Sequence, residues 1–181
     1  MYLSKRIYLA SAVLLSPLIA QAADICTYTS RSCIGSYGCC TGVAAGTCCY
    51  WGQPSGYGWS VKWQNMPAGW FGNSYGDAGC STSTGGTGNS GTSGCLSVYT
   101  GPTYLNWGSA NWVISSLTRR EDSEVVGRDN CVRPDVLGYT DADGVEHSYK
   151  VPEDKFDEAL AAIEAEDFAA LDAYEKREVA V

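Results

Sequence analysis

Between residues 23 and 118 there is no histidine and no glutamate, and the only acids are Asp24 and Asp77. These absences exclude most catalysis from that stretch. Serines and threonines abound, but a nucleophile with a histidine base cannot be assembled. A glycosidase normally flanks the scissile bond with two carboxylates, and Asp24 stands where a processed chain would begin, where termini fray. Hydrolytic metal chemistry lacks ligands there too. No Asn-x-Ser/Thr sequon occurs in the chain, so N-linked glycan is not expected. The reading is of a protein that is not an enzyme and carries no cofactor and no metal.

What is present starts with an export signal. Lys5 and Arg6 precede the apolar run Ile7–Ile19, and Ala20-Gln21-Ala22 supplies small residues for cleavage after Ala22. The run is shorter than the about 20 residues of a membrane span and contains Pro17. No later stretch is apolar enough to span a bilayer. Residues 1–22 therefore read as a signal peptide, and the product as secreted and extracellular, without stable membrane insertion.

An oxidising destination decides what the cysteines do. Cys26, Cys33, Cys39, Cys40, Cys48, Cys49, Cys80 and Cys95 read as four disulfides of open connectivity. Zinc is disfavoured because Cys39-Cys40 and Cys48-Cys49 lack the knuckle spacing of structural sites. Cys131 is left over, which suits a segment destined for removal, a free thiol or an intermolecular bridge.

Arg119-Arg120 marks a break in composition. Asp24 and Asp77 balance Arg31 and Lys62 before it, whereas 18 acids face 6 bases from residue 121 onward. Neutrality in the first part argues against nucleic acid or anionic lipid as its target. The division is a Cys-rich β domain over 23–118, a dibasic site and linker over 119–130, and an acidic segment over 131–181. Arg119 and Arg120 resemble a site for a kexin-like processing protease, which would make the acidic segment a propeptide. Lys176-Arg177 is a second such pair.

The Cys-rich part repeats itself. Tyr28-x4-Cys33 recurs as Tyr75-x4-Cys80, and Ser60-Val61-Lys62-Trp63 is echoed by Ser109-Ala110-Asn111-Trp112. Trp59, Val61 and Trp63 alternate with polar residues, as do Ala110, Trp112 and Ile114, which predicts strands facing a core. Frequent glycine permits short strands and tight turns but no long helix. Two units, each too small to bury a core alone, are expected to pack as a two-sheet sandwich.

Tyr28-Thr-Ser-Arg-Ser-Cys33-Ile-Gly35 resembles the Tyr-x4-aromatic-x-Gly signature of βγ-crystallin Greek keys, with Cys33 at the aromatic position. The downstream Ser-Val-x-Trp is similar to that family's Ser-Val/Ile-x-Val strand, while Thr82 replaces the glycine in the second unit. Over residues 25–115 the resemblance implies an all-β, disulfide-rich pair of Greek keys, like the secreted killer toxins and antifungal proteins built on that fold. The positions of the family's calcium motif hold Ser55-Gly56 and Tyr104-Leu105, so calcium binding is not implied.

Residues 81–94 are Ser/Thr/Gly-rich and read as a flexible loop held at its ends by Cys80 and Cys95. Trp51, Trp70 and Trp107 each lie beside glycine in turn-like context and are the candidate exposed binding aromatics. In the acidic segment, Leu137–Thr140 and Val145–Val151 flank the turn Asp141-Ala-Asp143-Gly144, and His147 reads as a surface residue. Pro152–Arg177 reads as a helix whose broken apolar stripe needs a partner, completing a small ββα segment. The expected function is a toxin-like or effector-like protein binding cell-wall polysaccharide or a cell-surface protein. The alternatives are a carbohydrate-binding module with a permanent acidic second domain, and a structural wall or matrix protein.

Overall fold

A computed structural model describes residues 22–52, 56–88, 91–99, 106–114 and 131–177. The apolar N-terminal run, Arg119-Arg120 and the linker lie outside these. The first unit contributes β1 (Ala22–Tyr28), β2 (Tyr37–Ala44), β3 (Cys48–Tyr50) and β4 (Ser60–Gln64). The second contributes β5 (Trp70–Tyr75), β6 (Ser83–Gly88), β7 (Gly94–Ser97) and β8 (Ser109–Ile114). The acidic segment adds β9 (Cys131–Val132), β10 (Val136–Thr140), β11 (Glu146–Lys150), helix α1 (Phe156–Glu164) and β12 (Glu175–Lys176).

Among the described residues the strands form two sheets, ordered β12-β11-β10-β2-β1-β4-β7 and β6-β5-β8-β3-β9. The fold is all-β and disulfide-rich. Within the orders lies the repeat: β2-β1-β4 matches β6-β5-β8, and each trio is completed by the third strand of the other unit. β7 pairs with β4 and β3 pairs with β8. Neither unit has a four-stranded sheet without its neighbour.

The residues that mark the repeat are the corners where each unit turns. Ser60 Oγ accepts the Cys33 N–H at 2.9 Å and donates to the Ser30 carbonyl at 2.6 Å. Ser109 Oγ accepts the Cys80 N–H at 3.1 Å and donates to the Asp77 carbonyl at 2.6 Å. Cys33 and Cys80 both have φ of 53°, a left-handed conformation uncommon for residues other than glycine. The serine bonds hold them there. Four disulfides follow, and two are mates under the repeat: Cys33–Cys95 and Cys48–Cys80. Each ties a corner of one unit to the exchanged strand of the other. Cys26–Cys39 joins β1 to β2, and Cys40–Cys49 joins the two sheets.

The inward strand faces carry Val61, Trp63, Ala110 and Trp112, all fully buried. The buried indole N–H groups find carbonyls: Trp63 donates to Asn111 and Trp112 to Val43, at 3.0 and 2.9 Å. Trp59 departs from the inward expectation. It is half-buried, with the Arg31 guanidinium 5.0 Å from its ring.

Three expectations need correction. The Ser/Thr/Gly stretch is not a loop between Cys80 and Cys95: it supplies β6 and the first residue of β7, and those cysteines bond to Cys48 and Cys33. Its glycines are there because rings lie on them. A Cβ on Gly85 would stand 2.9 Å from Trp107, and one on Gly94 2.8 Å from Trp70. Asp24 is not frayed either, since it sits within β1 and accepts the Gly42 N–H and the Asn65 amide, both at 2.9 Å.

The third correction concerns the expected helix over Pro152–Arg177. α1 spans only Phe156–Glu164; Glu166 then adopts φ of 57°, a 3-10 turn covers Phe168–Ala173, and β12 closes the segment. The break redirects the apolar stripe. Phe168 stacks on Tyr139 at 3.8 Å and Leu171 becomes fully buried. Phe156, Ala159, Ile163 and Leu171 share one core with Trp51 and Tyr57 of the Cys-rich part. The hairpin forms around Asp141 as the turn residues imply, and β10 extends the first sheet from β2. β9 runs parallel to β3 in the second sheet. The compositional break is therefore not an architectural one.

Ser60→Ala or Ser109→Ala leaves a corner N–H without its acceptor. Each is expected to cost about 1–3 kcal/mol, read as a lower denaturation midpoint with four disulfides intact. A second outcome concerns Asp77. Burial alone would raise its carboxyl above 3.8, but the N–H groups of Thr82, Gly79 and Ser81 outweigh burial and hold it lower. Its contribution is therefore full above the unfolded value and declines as pH falls toward the folded one. Denaturant midpoints compared at about pH 5 and about pH 3 should fall less for Asp77→Asn than for the parent.

Candidate functional site

Strand alternation turns Ala23, Ile25 and Thr27 of β1 inward and leaves Asp24, Cys26 and Tyr28 on the outer face of the seven-stranded sheet. Antiparallel register sets Tyr37 of β2 opposite Tyr28, and Cys39 opposite Cys26. The two rings lie 5.5 Å apart and tilted, and the Cys26–Cys39 bridge forms an apolar floor beside them with Val136. Outer faces of sandwiches are ordinarily polar, so this row is unusual in being buried.

The acidic segment buries it. Tyr37 crosses β10 at Gly138, where a Cβ would lie 2.3 Å from the Tyr37 ring, and it lines one cavity with Glu146 and Ser148 of β11. Burial, then the hydrogen bond to Glu146, pushes the Tyr37 phenol far above the ordinary 10. Burial, then the charge of Glu146, raises Tyr28 to about 12. Both phenols stay protonated, and so remain hydrogen-bond donors, well past neutral pH.

The opposite wall comes from the end of the chain. Arg177 donates its N–H to the Ser148 carbonyl at 2.8 Å and accepts the Ser148 hydroxyl at 3.0 Å. Its guanidinium reaches 3.9 Å from Asp24. Gln64 and Asn65 complete the rim. The cavity holds about 170 Å3, with Asp24, Cys26, Tyr28 and Tyr37 from one side of Arg119-Arg120 and Glu146, Ser148 and Arg177 from the other.

The three tryptophans expected as exposed binding residues are elsewhere and are buried: Trp51 is 3%, Trp70 1% and Trp107 6% exposed. Gly52 and Gly69, beside Trp51 and Trp70, are turn residues at φ of 84° and 74°, but the rings point inward. Trp51 donates to the Trp107 carbonyl at 2.7 Å and Trp70 to the Gly91 carbonyl at 3.0 Å. At Gly58 a Cβ would fall 2.0 Å from the Trp107 carbonyl oxygen. Exposure falls instead on Tyr99 and Ile34, at 82% and 63%. His147 is half-buried, 2.7 Å from Asp141 and stacked on Tyr139. Among the described residues, no group of three or more His, Cys, Asp or Glu side chains is placed to hold a metal ion.

A family model described as an N-terminal domain (ARB_05566_N) matches residues 24–135. The chain belongs to that family. No curated protein and no solved structure matches it. The ARB_05566_N match runs across Arg119-Arg120 and ends on a residue that joins the two parts. Asp135 accepts the Thr41 N–H at 2.8 Å and the Thr41 hydroxyl at 2.6 Å, and donates its own N–H to the Cys39 carbonyl at 2.9 Å.

Gly138→Ala should force Tyr37 off its seat. The expected result is overpacking of about 1–3 kcal/mol together with a changed near-ultraviolet tyrosine signal; an unchanged signal would mean the ring does not depend on Gly138.

Proposed function

We propose that this chain is a secreted, disulfide-locked binding protein of βγ-crystallin-like build, directed at a cell-wall polysaccharide or a cell-surface protein and without a catalytic step. Its acidic segment is a permanent part of the binding unit. The observation that carries this reading is the cavity on the outer sheet face, whose lining is drawn from both sides of Arg119-Arg120. The crystallin-like assignment is supported by the paired corners and by the reciprocal exchange of β3 and β7. Eight half-cystines in four bridges are consistent with an oxidising compartment.

This departs from a propeptide that is shed. Removing the acidic segment would strip β10 from β2 and β9 from β3, uncover the Phe156–Leu171 side of the core, and open the cavity. If a kexin-like protease cuts at Arg119-Arg120, the product is a two-chain protein that stays together. A toxin-like or effector-like action would then be exerted by the joined protein.

The test is retention on intact cells and isolated wall fragments, with the bound species identified by intact mass and size-exclusion chromatography. Retained protein should contain residues 131–177, as one chain or as two that co-elute. Retention of a species ending near residue 118 at full strength would overturn the permanent-segment reading, and no retention on any surface would overturn the binding function.

A further inference from the structure

We infer that the cavity between Tyr28, Tyr37 and Arg177 is a binding site for one neutral saccharide unit of a cell-surface glycan. This rests on the binding function above and assigns it a place and a ligand chemistry.

Size is the first argument. About 170 Å3 is smaller than the about 300–1,000 Å3 of pockets for drug-sized molecules. That space suits a single ring and not an extended peptide. Charge is the second. The one guanidinium in the lining already faces Asp24 at 3.9 Å, so it is no open seat for an anion. Glu146 adds a further negative charge at the rim, which opposes phosphates and carboxylates. Asp24 is no open seat for a cation, because both its oxygens already accept protein donors.

What remains is a neutral solute, and the lining describes its surface. The floor offers a disulfide, Val136 and the two tyrosine rings, on which C–H groups can rest. The rim offers Gln64, Asn65 and Arg177 as donors and Glu146 as acceptor, with Ser148 and the phenols serving either way. A pyranose has this pattern: an apolar face, and an edge of hydroxyls that donate and accept at once. Position also fits, since the cavity opens on an outer sheet face, where a ring within a chain can enter from the side.

Tetrasaccharides of N-acetylglucosamine, β-linked glucose and mannose are the probes, titrated calorimetrically into the full chain. One of them should bind at a single site with Kd of about 1 mM or tighter. Gln64→Ala and Arg177→Ala each remove a rim donor without touching the core, and each should weaken binding about tenfold or more. Ile34→Ala, on another part of the surface, should change nothing. The inference is overturned if no probe binds at about 10 mM, or if both rim variants bind as the parent does. It is also overturned if cells retain the parent and both rim variants equally; the broader binding function would survive that result, whereas absence of retention on any cell or wall would remove the broader function too.

Discussion

Two disulfides that cross between the repeated units carry the architecture. Cys33–Cys95 and Cys48–Cys80 close loops of 62 and 32 residues, against 13 and 9 for the other two bridges. In the chain-entropy account each long loop constrains the unfolded chain by about 4 kcal/mol and each short one by about 3, though nested loops do not add. The difference in strength is modest; the difference in what is joined is larger. A unit of under fifty residues cannot bury a core alone, and here each borrows a strand from the other. The crossing bridges make that loan covalent. Ser60 and Ser109 hold the corner cysteines in a left-handed turn, aimed at the borrowed strand.

The same strand exchange leaves β2 at an edge of its trio, and an unpaired edge invites pairing with other chains. β10 covers it, with Asp135 fastened to Thr41 at the start of the contact. β9 extends the other sheet beside β3. The acidic segment is thus a continuation of both sheets, and its apolar residues belong to the same core as the tryptophans. Charge and structure divide the chain differently because charge sits on the outward faces, where it costs little, while the inward faces continue unbroken.

Much of this was legible in the sequence. The spacing of Tyr28 and Cys33 against Tyr75 and Cys80, followed by the two serines, marks the corners because one backbone geometry is made twice with the same residues. Alternation around Trp63 and Trp112 gave the inward faces, and Asp141-Ala-Asp143-Gly144 gave the hairpin. Pairing of the cysteines was not legible, since it depends on strand exchange between units. Trp51, Trp70 and Trp107 misled for a physical reason. Gly52 and Gly69 do turn the chain, at φ of 84° and 74°, but a turn beside an aromatic does not say where the ring points, and local sequence does not settle it. The distant glycines do: Gly85 and Gly94, far along the chain, make room for Trp107 and Trp70. α1 ended early because the core, not the intrinsic preference of its residues, decides where Leu171 must go.

The candidate site was the least legible part, and the reason lies in how it is built. Tyr28 announced itself as a corner residue, with no sign that its ring would face outward onto a bridge. Lys176-Arg177 read as a place for a protease, whereas Arg177 lies across β11 and faces Asp24, a residue 153 positions earlier (177 − 24). An apolar row on an outer face is unstable against water unless something covers it. The protein covers it incompletely, with β10 at Gly138, the Glu146 carboxylate and Arg177. Gly138 lets the Tyr37 ring lie directly on β10, while the cavity lined by Ser148 and Arg177 keeps the row reachable from outside, which is the property of a site and not of a core.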